Sequence, residues 1–222
     1  MQLELNPEPP KEPEYIAKPL ILAQSIQLWY GPGGSGKSLL AMYFAIIVHN
    51  GLVEWWPDVK RCNVLYLDWE TDYDTAMRRA NMLARPLIET DREIELPFYR
   101  RCVLPLADEV TDIALDVVDH DIGMVIVDSA GPACAGDIES ADTALRFFNA
   151  LRRICTENNA SAKVLTHVTK AERRGTGRRL PIGSIYFENI PRMTWEVRKE
   201  DESDDNLLVG LFNVKTNECQ KH

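Results

Sequence analysis

With 222 residues, 45% of them hydrophobic and 27% charged, the chain has the composition of a soluble globular protein long enough to bury one full core. A formal net charge of −9 argues against a surface that coats nucleic acid all over. No apolar run approaches the roughly 20 residues of a membrane-spanning helix, and the acidic, Pro-rich amino terminus lacks the apolar core of a signal peptide, so a cytoplasmic protein is expected.

Residues 6–19 are Pro-rich and without apolar period, and are expected as part of an extended arm (1–19) outside the core, with one domain over 20–222. From Leu20 onward strand and helix alternate. Ser25–Tyr30 reads as a buried strand, followed by a Gly-rich turn and a helix through Leu39–Val48 that Gly51 is placed to cap. Asn63–Asp68 is a second strand, and Thr71-Asp72 opens a helix across Ala76–Ala84. Phe98–Val103 reads as a short strand and Glu109–His120 as a helix. Met124–Asp128 is apolar on both faces, as a central parallel strand should be. Ser140–Asn158 follows as a long amphipathic helix, then Lys163–His167 as a strand. Arg192–Lys199 and Leu207–Lys215 flank the turn 200–206 as an antiparallel hairpin at one sheet edge. The pattern predicts an α/β fold with a mostly parallel sheet. Cys62, Cys102, Cys134, Cys155 and Cys219 fall at spacings that suit neither a zinc site nor a disulfide framework. Trp55 and Trp56 are expected to supply packing or interface area.

Between the first strand and first helix, Gly31, Pro32, Gly33, Gly34, Ser35, Gly36, Lys37 and Ser38 complete the pattern G-x-x-x-x-G-K-[ST]. Glycines let the backbone wrap phosphates closely, and the helix that starts near Lys37 turns its free N–H groups toward the anion. Lys37 is expected on the β- and γ-phosphates and the Ser38 hydroxyl on Mg²⁺, which predicts MgATP as the bound nucleotide. Asp128 ends an apolar strand and is the second expected Mg²⁺-side ligand. Ser129 follows it, so the common Asp-Glu pair is missing there. Glu70, just past Asp68, is the candidate to orient the attacking water, with Asp68 and Asp72 as alternatives. His167 ends a strand aimed at the same sheet edge and is expected to sense the γ-phosphate.

Together these residues resemble the RecA-like P-loop ATPases, and among them the RepA-type hexameric replicative helicases of plasmids and phages, from about Leu20 to Asn217. In that family the catalytic glutamate follows the second strand, matching Tyr66-Leu-Asp-Trp-Glu70. Val125-Ile-Val-Asp-Ser129 matches the Walker B strand, and His167-Val-Thr-Lys170 an H-x-x-K motif. The resemblance further implies that Arg192, after Gly183-Ser184, reaches the neighbouring subunit's ATP. It implies that Lys215, in Lys215-Thr-Asn217, is a second trans-acting cation, and that the working form is a homo-oligomer, a hexameric ring. Pro191 directly precedes Arg192, a departure that bears on how the arginine is presented.

Lys170, Arg173, Arg174, Arg178 and Arg179 form a basic loop relieved only by Glu172. In RecA-like rings the corresponding loop lines the central channel, so single-stranded DNA is the implied partner, held by its phosphates without base stacking. A recombination ATPase resembling RecA or RadA, and an ATP-gated regulatory scaffold, are the alternative readings.

Overall fold

The computed structural model describes residues 12–90, 93–168, 180–202 and 207–217. Alternation along the central strands sets its layers. In β4 (Asn63–Asp68), Val64 and Tyr66 face one core while Leu65 and Leu67 face the other. In β6 (Ile122–Asp128), Met124 and Ile126 divide from Val125 and Val127 in the same way. Because side chains alternate along a strand, runs apolar at every position need cover on both faces. Helices α1 (Lys37–Asn50) and α2 (Tyr73–Ala84) cover the first face. The second is covered by α3 (Val110–Asp119), α4 (Ala130–Cys134), α5 (Ala141–Ile154) and α6 (Tyr186–Asn189).

With β1 (Tyr15–Ala17), β2 (Ile21–Leu22), β3 (Ile26–Gly31), β5 (Phe98–Arg101), β7 (Ser161–His167), β8 (Met193–Glu202) and β9 (Leu207–Thr216), the main sheet runs β5-β4-β6-β7-β3-β8-β9. All its pairings are parallel except β8–β9. This is the α/β architecture, with its antiparallel hairpin at the edge, that the sequence predicts. The helix expected over 140–158 is α5 followed by a 3-10 turn at Thr156–Asn158. Gly51 caps α1 in the left-handed region at φ 64°.

One expectation is corrected. Tyr15–Ala17 were placed in an arm outside the core, but they are buried as β1, paired with β2 and packed in the core beside α1. The reason lies in α1, whose Ala41, Phe44, Ala45, Ile46, Ile47 and Val48 are all buried: a helix apolar on more than one side needs a second cover besides the sheet. Trp56 completes that cover, its ring 5.1 Å from Phe44 and its indole N–H donating to the Lys18 carbonyl at 2.8 Å; Trp55 is exposed. Polar bonds fasten the β1–β2 unit to the sheet. Gln27 Nε2 and Ser161 Oγ donate to the Leu22 carbonyl at 2.7 and 3.0 Å, and Lys163 Nζ donates to the Leu20 carbonyl at 3.2 Å.

Burial holds the Lys163 ammonium well below the ordinary lysine range. Burial likewise pushes the thiols of Cys62, Cys102 and Cys134 up to about 12, which leaves them protonated and structural. Cys219 lies outside the described residues. No described helix is long and apolar enough to cross a membrane.

Candidate nucleotide-binding site

The carboxyl ends of β3, β4, β6 and β7 meet over a cleft of about 400 Å³ whose lining includes Ser35, Lys37, Ser38, Glu70, Asp128 and His167. Residues far apart in sequence arrive there because parallel strands all end at the same edge of the sheet. In register, Asp68 sits opposite Asp128, and Gly31 opposite His167.

The turn from β3 into α1 depends on two glycines. A Cβ on Gly31 would come within 2.2 Å of the Val197 carbonyl oxygen on β8, so only glycine lets the hairpin pass this close. Gly36 holds φ 83° as the residue that starts α1. No side chain caps this helix, and its first turn holds no acidic residue, whereas α2 is capped by Asp72, whose Oδ1 accepts the Thr75 N–H at 2.8 Å. The first amides of α1 and its positive dipole end are thus left to an anion. Lys37 is buried there, its Nζ donating to the carbonyls of Gly31 and Pro32 at 2.9 and 2.8 Å.

On the facing strands, buried Asp128 accepts the Tyr66 hydroxyl on Oδ2 at 2.6 Å and is also hydrogen-bonded by the Ser38 side chain. Its carboxyl is pushed above the usual carboxylate range. Burial is the main cause, the bonds from Tyr66 and Ser38 oppose it, and the charges of Asp68 and Glu70 add to it. Tyr66 in turn is raised well above its ordinary value, by burial and then by Asp128, and so stays a donor. A buried carboxylate touching the P-loop hydroxyl, with two further carboxylates near, suits a divalent cation. Among the described residues no group of three His, Cys, Asp or Glu side chains could hold a metal ion unaided.

The alternatives to Glu70 have other work. Asp68 accepts the N–H groups of Glu70 and Thr71 at 2.8 and 2.9 Å, the Thr71 hydroxyl at 2.5 Å and the Tyr99 hydroxyl at 3.2 Å. It builds the turn that presents Glu70, while Asp72 caps α2. Glu70 itself is exposed to the cleft, and its Oε1 accepts the Ser129 hydroxyl at 2.5 Å. Ser129, noted in the sequence only for not being glutamate, thereby ties the β4 carboxylate to the strand that carries Asp128. Arg79 also lines the cleft and was missed by the sequence reading. The available signal was its place on α2 beside the buried face of Ala76 and Ala80.

Arg192 and Lys215 are not brought to this cleft. The Arg192 N–H donates to Ile26 at the opposite end of β3, about 17 Å along the strand from Gly31. The ammonium of Lys215 donates to the carbonyls of Glu188, Asn189 and Pro191, each at 2.8 Å. Lys170, Arg173, Arg174, Arg178 and Arg179 lie outside the described residues; on either side of that segment Val168 and Pro181 form an isolated bridge, and the Ile182 N–H donates to the His167 carbonyl at 2.8 Å.

A mostly parallel sheet carrying a P-loop on an interior strand, β3, with carboxylates facing it from β6, the next strand but one, and from the end of β4 beyond it, defines a P-loop NTPase of RecA-like fold. The chain belongs to a family of such nucleotide-hydrolysing ATPases described as the AAA domain, whose sequence model matches residues 2–173. No curated protein matches the chain.

Proposed function

We propose that this ATPase is an oligomeric motor on single-stranded DNA, of the RepA-like helicase kind, that hydrolyses MgATP. In this reading the α1 amides and Lys37 bind the phosphates, and Ser38 and Asp128 would hold the Mg²⁺, which when bound neutralises phosphate charge. Glu70 orients the attacking water, its carboxylate fixed by Ser129 so that the geometry is set before substrate arrives. Arg192 belongs to the neighbouring subunit's nucleotide, since it sits a strand length from its own.

The observation that carries the motor reading is the clamp at the base of the basic segment. His167 lines the nucleotide cleft, and its carbonyl is bonded to Ile182, so both flanks of the segment that holds Lys170, Arg173, Arg174, Arg178 and Arg179 are anchored beside the phosphate end of the site. A change at the γ-phosphate therefore has a direct covalent path to the residues proposed to hold DNA.

ATP turnover measured over a range of protein concentrations, with and without a single-stranded oligonucleotide, tests this. Turnover per chain should rise with protein concentration and again with DNA. The DNA increment should vanish when Arg173, Arg174, Arg178 and Arg179 are changed together to Ala, while basal turnover survives. Specific activity that is constant with concentration and indifferent to DNA would leave an ATPase without a motor function.

A further inference from the structure

At the amino-terminal end of the sheet, opposite the nucleotide cleft, Ser25, Arg152, Thr156, Tyr186, Asn189 and Arg192 line a second cleft of about 440 Å³. None of the described residues that line it is acidic, in a chain whose formal net charge is −9. An adjoining cleft that shares Ser25 and Arg192 contains Glu14.

The two arginines come from different elements held rigidly together. Arg192 directly precedes β8, with its backbone fixed on both sides: its N–H donates to the Ile26 carbonyl at 2.8 Å, and its own carbonyl accepts the Asn217 N–H at 3.0 Å. Lys215 clamps the turn just before it through the Glu188, Asn189 and Pro191 carbonyls. Arg152 projects from the last turn of α5, its Nη1 donating to Asn149 Oδ1 at 3.2 Å. Helix α5 is locked to α6, which leads into β8, by Phe147 stacked on Phe187 and Phe148 tilted against it, with centroids 6.0 and 4.9 Å apart. Burial of rings of this size stabilises such a joint, so the guanidinium-bearing walls hold their spacing.

The charge placed here has no use within the chain's own nucleotide site, a strand length away. The pKa of the Lys215 ammonium is lowered first by burial and then by the charge of Arg192, with Glu188 opposing, which places these charges close together at this end of the sheet. Two planar guanidinium forks with the hydroxyls of Ser25, Thr156 and Tyr186 suit the oxygens of a polyphosphate.

We propose that this cleft receives the phosphates of the nucleotide bound on a second copy of the chain, and that Arg152 acts there beside Arg192 as a second arginine working across the subunit boundary. The inference rests on the trans reading of Arg192. Lys215 is then a positioning residue for Arg192.

The test compares Arg152→Ala, Arg152→Lys and Arg192→Ala with the wild type in turnover per assembled chain, nucleotide affinity and assembly by light scattering. Arg152→Ala should lose about tenfold or more in turnover, the scale of a hydrogen bond to a charged group. It should still bind nucleotide on its own P-loop, and should regain turnover when mixed with Lys37→Ala protein. Arg152→Lys, which keeps the charge but not the fork, should fall between. Wild-type turnover in Arg152→Ala beside an inactive Arg192→Ala would overturn the proposal and leave the trans reading standing; unimpaired turnover in both would overturn the two together. Loss in Arg152→Ala with no rescue in co-assembled mixtures would place its action within one chain and against the proposal. So would free nucleotide that still binds Lys37→Ala protein and is lost on adding Arg152→Ala.

Discussion

The two ends of the one sheet are built with opposite chemistry. At the carboxyl end, Asp128 is hydrogen-bonded by Tyr66, Asp68 by Thr71 and the Glu70 N–H, and Glu70 by Ser129, and Lys37 lies against backbone carbonyls. At the amino end, Arg152 and Arg192 line a cleft with no described acid, with Lys215 tethered behind them. The carboxyl end has the parts to bind a triphosphate and present a water, but the described cations besides Lys37 that reach it come to Arg79 alone. The amino end supplies guanidinium groups where its own chain has no phosphate. On the proposed reading each end complements the other on a second copy, since one copy cannot bring them together across the rigid strand between them.

That comparison breaks or holds most plainly at Glu70. Glu70→Gln should lower turnover by about 10²–10⁴-fold with nucleotide binding kept, because the carboxylate acts on the water and not on ground-state phosphate. Mixed with Lys37→Ala protein, which carries a lesion at the same end, it should stay inactive; mixed with Arg192→Ala protein it should recover part of its turnover. Equal recovery in both mixtures would contradict the separation of the two ends.

A smaller effect is expected from Ser129→Ala. It removes the hydroxyl that Glu70 accepts and leaves the charge in place, so a loss of roughly 10- to 100-fold in turnover is expected, with nucleotide affinity unchanged. Turnover within twofold of wild type would mean that Glu70 is oriented by other means.

The smallest expected effect is on stability. Burial raises the Asp128 carboxyl pKa in the folded chain, so between the unfolded value near 3.9 and the raised folded value the native state binds the extra proton. Its contribution to stability is therefore present below that window and is lost as pH rises through the folded pKa. Asp128→Asn should remove this loss, with each unit of upward shift worth about 1.4 kcal/mol, and should raise the melting temperature at neutral pH while turnover falls. The difference between variant and wild type should shrink on acidification toward pH 4; a difference that is flat with pH would mean that Asp128 is not under electrostatic strain.

Several parts of this site were legible from sequence because they are local. The run Gly31–Ser38 declares its own loop, Asn63–Asp68 and Met124–Asp128 declare buried strands by continuous apolarity, and Asp72 and Gly51 mark helix ends through backbone chemistry within a few residues. The placement of Tyr15–Ala17 was misread because Pro-rich composition outweighed the better signal, an α1 too apolar all round for one covering layer.

Sequence by itself thus determined the fold class, the Gly-rich turn between β3 and α1 and the list of acidic candidates, since periodicity, glycine and strand-end carboxylates are properties of short segments. Only the tertiary structure decided which acid is presented and which is consumed in building the turn. Asp68 and Asp128 come level through the β4–β6 register, which brings Ser129 to Glu70, and no local rule fixes a register between strands some sixty residues apart. The same holds for Arg152 and Arg192. They share a cleft because α5 packs on α6 through three phenylalanines, and it is long-range packing of apolar faces, not any motif, that sets where charges on their far sides meet.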